Sequence, residues 1–227
     1  MKLAIKHDHE KLIDVDTAVA KVLSNVAELG FETKSILQAL NHVCFKDVIG
    51  SIDIPPLNNS SMDGYAVKSK NVKAASSKTP IELEVLGIVS AGQIPDLKVV
   101  ENSAVKIMTG ASIPQGADAV IPFEDVVDIT NKRIRICEPV EYWNNIRHAG
   151  EDVKRGNILI PKGKLISAAD IGVMASQGMA KTKVVKKPKV AILATGNELL
   201  SLEEEIEKGK IYDSNSSSIA AAVIEAG

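Results

Sequence analysis

Aromatic residues are scarce in this sequence, with one Trp, three Tyr and three Phe among 227 residues. Proteins that read RNA or bind single strands stack bases on aromatic side chains, so this scarcity argues against those classes. A surplus of positive charge is also missing, since 27 Lys and Arg stand against 29 Asp and Glu for a net charge of −2. Binders of the nucleic-acid backbone carry a basic surplus. We therefore expect no nucleic-acid partner and a core of aliphatic side chains.

Cysteines are few, and long apolar runs are lacking as well. Cys44 and Cys137 lie far apart with no CxxC or Cys/His spacing, which favours reduced thiols over a zinc site. The apolar runs are too short to cross a membrane, and the first residues lack the apolar region of a secretion signal. The sequence predicts a soluble, cytoplasmic protein without a membrane partner.

Periodicity predicts a helix and then a β-rich region. In DVDTAVAKVLSNV the apolar residues fall on one helical face, behind Asp14 or Asp16 as the N-cap. From Ile49 to about Arg135, short β-branched runs alternate with turn residues. The length suits one or two domains.

A second helix and an α/β pattern follow. Ser167, with Asp170 three residues later, resembles a capping box and begins the predicted helix SAADIGVMASQGM. After the lysine-rich KTKVVKKPK, the apolar run KVAILAT predicts a strand buried on both faces, and IYDSNSSSIAAAVIEAG predicts a strand, a capped loop and a helix. Two strands and one helix cannot cover their own apolar faces. We expect that the chain belongs to a longer protein or, alternatively, that the N-terminal helix and a partner chain complete the layer.

Three loop segments combine glycine with hydroxyl, amide or carboxylate groups: NNSSMDGYAV, KIMTGASIP and LATGNEL. Asp63-Gly64 is foremost a turn dipeptide, so an ordinary turn is the simpler interpretation of the first segment. Thr109 follows a predicted strand, where a hydroxyl and a flexible backbone can present donors to an oxyanion. These segments suit a polar site better than a core.

A fourth segment, RHAGED, places Arg147 near two carboxylates. A local salt bridge explains this pattern as well as a functional role does. Asp152 is equally suited to bind a hard cation, and Asp63, Asp152 and Glu198 would be sufficient for Mg²⁺ if folding brought them together. A Ser-His-Asp pattern, a P-loop and a GxGxxG turn are all missing, which disfavours serine hydrolysis, Walker-type NTPase activity and dinucleotide binding.

Taken together and in order, six segments resemble the molybdopterin molybdotransferases, also called molybdenum insertases, the family of MoeA and the gephyrin E domain. The segments are DIPPLNNSSMDGYAV, SAGQIP, VKIMTGASIPQGADAVIPFED, NIRHAGEDVKRGNILIPKGKLISAADIGVMASQG, VAILATGNEL and GKIYDSN. The likeness runs from about Leu12 to the last residue. It implies an α+β multi-domain fold, with β-rich inserted domains and the truncated start of an α/β domain of the molybdopterin-binding type.

The resemblance also implies a division into four parts. These are residues 1–30, a helix that packs with the α/β domain; 31–49 with 157–187, a linker and dimerisation domain; 50–156, a β-rich inserted domain; and 188–227, the start of the α/β domain. Family members form elongated homodimers, in which the inserted region of one subunit and the α/β domain of the other make the site.

The reaction that the resemblance implies is insertion of molybdate into molybdopterin. The substrate is adenylylated molybdopterin, whose phosphoanhydride is hydrolysed with release of AMP in the presence of Mg²⁺. A molybdopterin adenylyltransferase is the implied protein partner. The implied catalytic residues are Asp63, Thr109, Asp152 and Glu198, whose three carboxylates are also the implied Mg²⁺ ligands. The implied cofactor-binding residues are Ser60, Gly64, Gly110, Asp213, Ser214 and Asn215.

Two departures from the family pattern stand out. Ser61 replaces an Ala found in many relatives, which is a mild change in a turn. The family's downstream glycine- and serine-rich loop, proline-containing segment and C-terminal β domain are absent, so we expect these residues alone to be incomplete for catalysis. The alternative function is a non-catalytic dimerisation or scaffold module of the same fold. Such a module would need no carboxylate at Asp63, Asp152 or Glu198.

Overall fold

The computed structural model describes residues 12–130 and 132–227, so residues 1–11 of the predicted N-terminal part lie outside the described range. The described residues form an α+β, strand-rich fold, as the sequence predicts. The helices are α1 (Val15–Leu23), α2 (Ser69–Val72), α3 (Ala168–Ser176) and α4 (Ser214–Glu225). The strands are β1 (Phe31–Ser35), β2 (Val48–Ile49), β3 (Asn59–Ser60), β4 (Gly64–Val67), β5 (Ile81–Val89), β6 (Ser103–Ile107), β7 (Ala119–Pro122), β8 (Val126–Thr130), β9 (Arg133–Ile136), β10 (Ile146–Arg147), β11 (Ile158–Ile160), β12 (Lys181–Val185), β13 (Leu199–Leu200) and β14 (Ile211–Tyr212).

The chain folds into two compact units. Unit 1 holds the described residues up to Val48 together with Ile160–Gly227, and unit 2 holds Ile49–Leu159. The chain therefore leaves unit 1 once and returns to it once. The division into four domains remains a prediction, because compactness alone separates only these two units. Within the described residues, no helix combines the length and apolarity needed to span a bilayer.

Unit 2 is built on a sheet of six strands in the order β7-β4-β6-β5-β9-β8. β5 and β6 run parallel, whereas the other neighbouring strands are antiparallel. Successive side chains of a strand point to opposite faces, and each face of this sheet covers an apolar cluster. Tyr65 and Val67 belong to one cluster, while Ala66 between them belongs to the other. Almost all of this core is aliphatic, as the composition predicts.

Unit 1 contains the two helices that periodicity predicts best. α1 begins at Asp14, whose carboxylate accepts a hydrogen bond from the Thr17 N–H, so this residue rather than Asp16 is the N-cap. No side chain of α1 is buried in the described structure, and all but Ala18 are exposed. α3 begins with the predicted capping box, in which Ser167 and Asp170 bond each other's backbone N–H.

The prediction of a strand at KVAILAT is wrong. Residues 189–195 form no regular secondary structure, and Leu193 is 89% exposed. A strand buried on both faces needs neighbouring strands and covering helices, and the described residues supply neither to this segment. The parallel pairing next to it is instead short, between β13 and β14.

Candidate active site

Asp63 and Thr109 are brought together by the register of two antiparallel strands. Gly64 at the start of β4 pairs with Ile107 at the end of β6, so the residues just outside this pair face each other. The backbone N–H and the hydroxyl of Thr109 both donate to Oδ1 of Asp63, at 2.7 and 2.8 Å. These two hydrogen bonds, the backbone one first, hold the pKa of Asp63 below its usual value. The result is an exposed carboxylate that stays charged and is fixed in direction.

The residues around this pair shape the two turns that present it. Ser60 is buried, and its hydroxyl donates to the Met62 carbonyl at 2.6 Å, which tightens the loop that leads to Asp63. Gly110 has φ +79°, a conformation that favours glycine, and its N–H donates to the Ser60 carbonyl at 2.8 Å. A β-carbon on Gly64 would overlap the Ile121 carbonyl of the neighbouring strand. The structure thus gives Ser60, Gly64 and Gly110 supporting contacts, and their cofactor contacts remain predictions.

Arg147 and Asp152 form the second polar pair of unit 2. The Arg147 guanidinium donates to Oδ1 of Asp152 at 2.6 Å and to Glu151 at 3.4 Å. The hydrogen bond and the charge of Asp152 are the main causes that raise the pKa of Arg147. The backbone N–H of Asp152 donates to the Ile54 carbonyl at 2.9 Å, which anchors the loop. The sequence pattern RHAGED therefore does form the ion pair that was one of its two interpretations.

Residues 58–61 lie between the two pairs and join them. On one side the Ser60 N–H donates to the carbonyl of Ala111, at 3.0 Å. On the other side β3 pairs with β10, which sets Asn59 opposite Arg147, and the Ser61 N–H donates to the Asn145 carbonyl at 3.0 Å. Three of the sequence motifs, NNSSMDGYAV, KIMTGASIP and RHAGED, thus meet within unit 2.

Asn145 is a supporting residue that sequence reasoning missed. It adopts φ +58°, and its side-chain amide donates to the Val120 carbonyl of β7 at 2.9 Å. The signal was present in the dipeptide Asn144-Asn145, because asparagine tolerates the left-handed region better than other non-glycine residues. Its carbonyl is the acceptor that holds Ser61, so the turn of Asn145 supports the loop that carries Asp63.

Glu198 lies in unit 1, in a turn that precedes β13. Its carboxylate folds over Gly196, where an added β-carbon would come within 2.8 Å of Oε2 of Glu198. The Lys210 ammonium donates to the Asn197 carbonyl at 2.6 Å, and the Ile211 N–H donates to the Glu198 carbonyl at 2.8 Å. The turn TGNE is therefore closed by the segment that leads into β14.

Asp213 begins α4 in the same unit. Oδ1 of Asp213 accepts a hydrogen bond from the Ser216 N–H at 2.9 Å, and the side chain and N–H of Ser216 lower the pKa of Asp213. Ser214 and Asn215 form the first turn of this helix. Because β13 and β14 are parallel, Glu198 before β13 and Asp213 after β14 lie at opposite ends of the strand pair. At 3.3 Å per residue, that separation is about 10 Å along the strands.

Comparison with known proteins identifies the family. The sequence-family model of the MoeA N-terminal region (domain I and II) matches residues 13–178 of this chain. The chain belongs to this family. It is also 36% identical over 215 residues to the molybdopterin molybdenumtransferases of Staphylococcus epidermidis (strain ATCC 35984) and Staphylococcus aureus (strain Mu50), a match that covers 95% of this chain and 51% of each relative. The chain thus spans about half the length of the curated relatives that it matches.

Solved structures of MoeA proteins share the fold. The crystal structure of the molybdopterin biosynthesis MoeA protein from Pyrococcus horikoshii OT3 superposes with a TM-score of 0.87 at 34% identity, over 95% of this chain and 57% of that one. A second crystal structure of a MoeA protein from Pyrococcus gives a TM-score of 0.85 at 35% identity, over 96% and 55% of the two chains. These likenesses support the α+β fold.

Some of the predicted site residues lie inside the match to the MoeA N-terminal region, and the others lie outside it. Asp63, Thr109 and Asp152 lie inside the matched residues 13–178, whereas Glu198 and the segment from Asp213 lie beyond them. Within residues 12–130 and 132–227, no group of three or more His, Cys, Asp or Glu side chains is arranged to hold a metal ion. The structure therefore pairs Asp63 with Thr109, and Arg147 with Asp152, in unit 2, and the three-carboxylate Mg²⁺ site remains a prediction.

Proposed function

We propose that this chain is part of a molybdopterin molybdotransferase of molybdenum cofactor biosynthesis, which inserts molybdate into adenylylated molybdopterin with release of AMP. The observation that carries the proposal is the carboxylate of Asp63, fixed by two hydrogen bonds from Thr109 and linked through residues 58–61 to the segment that holds the Arg147–Asp152 pair. Membership of the MoeA N-terminal family supports the same substrate class.

In this proposal the unit 2 residues bind and orient a phosphoanhydride. Asp63 is charged at neutral pH, as an ordinary aspartate is, and its lowered pKa makes it a weak base, so it suits holding a cation or orienting an attacking water by a hydrogen bond. The Arg147 guanidinium keeps its charge and has further N–H donors that suit phosphate oxygens. The Gly110 turn leaves Thr109 exposed at the end of β6, where a ligand has access to it.

Two carboxylates of unit 2, Asp63 and Asp152, suit Mg²⁺. Magnesium is commonly bound by one or two carboxylates, with waters and substrate phosphates completing the shell. Asp63 and Asp152 are exposed carboxylates, each with one oxygen engaged by Thr109 or Arg147, so each has a second oxygen to offer. A bound Mg²⁺ would neutralise charge on the phosphoanhydride. The residues of this chain would position the water and the leaving AMP.

Asp213, Ser214 and Asn215 are assigned to the pterin nucleotide side of the site, and Glu198 is a further catalytic carboxylate. We propose that two copies of the chain pair, so that Glu198 of unit 1 acts together with Asp63 of unit 2 from the other copy. An adenylyltransferase that makes the adenylylated substrate is the proposed partner that precedes this step.

Release of AMP tests the proposal. The full-length protein of which this chain is proposed to be a part (the intact protein) should release AMP from adenylylated molybdopterin when molybdate and Mg²⁺ are present. Asp63→Asn and Glu198→Gln should each slow this release by about 100-fold or more, because each removes a charged group proposed to act in the reaction. Asp96→Asn and Glu203→Gln change exposed carboxylates outside the site and serve as matched controls.

The same measurement separates the enzyme from a scaffold module. A wild-type protein that releases no AMP, or variants of Asp63 and Glu198 that keep full turnover, would contradict the proposal. Dimerisation without any turnover would favour the scaffold.

A further inference from the structure

Asn58 is bonded to both loops that carry the polar pairs of unit 2. Its carbonyl accepts a hydrogen bond from the Ile113 N–H at 3.0 Å, in the segment that follows Thr109. Its side-chain Oδ1 accepts a hydrogen bond from the Ala149 N–H at 2.8 Å, in the loop between Arg147 and Asp152. Asn58 and Ala149 are 91 residues apart in the sequence, so this contact is a tertiary one.

The loop of residues 149–152 is also held by backbone hydrogen bonds to residues just before Asn58 in the sequence. The Gly150 N–H donates to the Pro55 carbonyl and the Asp152 N–H donates to the Ile54 carbonyl, both at 2.9 Å. The bond from Ala149 to Asn58 instead links the loop to the start of the strand that leads to Asp63. It therefore acts on the placement of Asp152 relative to Asp63.

A bond of this kind contributes little to the stability of the fold. Ala149 is exposed and Asn58 is half-buried, so water can replace the lost acceptor when the Asn58 side chain is removed. A residue with only a structural role would then be replaceable with small effect. A residue that fixes the geometry of reacting groups would not, because outer-shell contacts of a site commonly change activity by about 10- to 100-fold.

We propose that Asn58 is a positioning residue, which fixes the Arg147–Asp152 pair relative to Asp63 and Thr109. This inference rests on the proposed function. The chemistry requires only an acceptor at the Oδ1 position, and an aspartate keeps that acceptor at the same distance from the backbone. Asn58→Asp should therefore retain the role that Asn58→Ala loses.

Two measurements on the intact protein test this role, with Asn157→Ala as the control because Asn157 is an exposed asparagine of the same unit. The first is amide hydrogen exchange at Ala149, followed by NMR. We expect exchange to be up to about tenfold faster in Asn58→Ala, and to return to the wild-type rate in Asn58→Asp. The second is kcat/KM for release of AMP, which should fall about 10- to 100-fold in Asn58→Ala with little change in Tm, and recover in Asn58→Asp.

The outcomes separate this inference from the proposed function. Unchanged exchange at Ala149 in Asn58→Ala would overturn the inference whether or not the protein is active. Faster exchange with unchanged kcat/KM would overturn it too, as would an Asn58→Asp variant that fails to recover. A wild-type protein that releases no AMP would contradict the proposed function, and the exchange result would still decide whether Asn58 fixes the loop.

Discussion

The carboxylate of Asp63 accepts two hydrogen bonds from Thr109, and this contact depends on pH in a defined direction. The pKa of Asp63 is lowered in the folded protein, first by the N–H of Thr109 and then by its hydroxyl. Above the ordinary aspartate pKa of about 3.9 the contact contributes in full to the folded state. Its contribution is lost as the pH falls through the lowered pKa of the folded protein.

Removing the hydroxyl of Thr109 should raise the pKa of Asp63. In Thr109→Val the N–H donor remains, so we expect the pKa to rise towards its ordinary value without reaching it. An NMR titration of the Asp63 carboxyl carbon measures this shift, with Thr33→Val, an exposed threonine of β1, as the control. A pKa of Asp63 that is the same in Thr109→Val and in the wild type would show that the hydroxyl bond is not formed.

The glycines of this fold differ in whether the surrounding structure leaves room for a side chain. Gly64 in β4 lies against β7, and a β-carbon there would come within 2.8 Å of the Ile121 carbonyl carbon. Gly172 in α3 has no atom within 4 Å of the position that its β-carbon would take. The two positions therefore predict opposite effects of the same substitution.

Gly64→Ala should destabilise the protein by about 1–3 kcal/mol, because the strand must move to relieve the overlap. Gly172→Ala should stabilise it by about 0.5–1 kcal/mol, because alanine loses less backbone entropy within a helix. Urea unfolding of both variants beside the wild type gives the two free energies. Equal effects at the two positions would contradict the strand packing described for Gly64.

Sequence patterns predicted helices and strands correctly where the stabilising contacts are between residues close together in the sequence. The N-cap of α1 was predicted at Asp14 or Asp16 and lies at Asp14, and the capping box of Ser167 and Asp170 is present as predicted. The strand KVAILAT was predicted from its apolar character alone. That prediction was wrong because a strand is defined by its hydrogen-bonded neighbours, which lie elsewhere in the chain.

The resemblance implies that two copies of the molecule assemble into a homodimer. Apolar side chains of α1, such as Val22 and Leu23, are 65% and 63% exposed, as expected for a surface that a second copy or a further domain covers. A dimer should show a mass about twice the 24.2 kDa of this chain in analytical ultracentrifugation. A mass of 24.2 kDa at all concentrations would contradict the proposed pairing of Glu198 with Asp63 of the other copy.

The sequence by itself determined the α+β class, the capped helices, the family and the identity of the polar motifs, because these depend on local patterns and on residue order. Only the tertiary structure decided which polar groups meet. Asp63 contacts Thr109 across 46 residues of sequence, and Asn58 contacts Ala149 across 91. Strand register and packing between distant segments set these contacts, and no local pattern encodes register. For the same reason the resemblance proposes Asp63 and Asp152 as site residues, whereas the hydrogen bond between Asn58 and Ala149 is visible only in the folded structure.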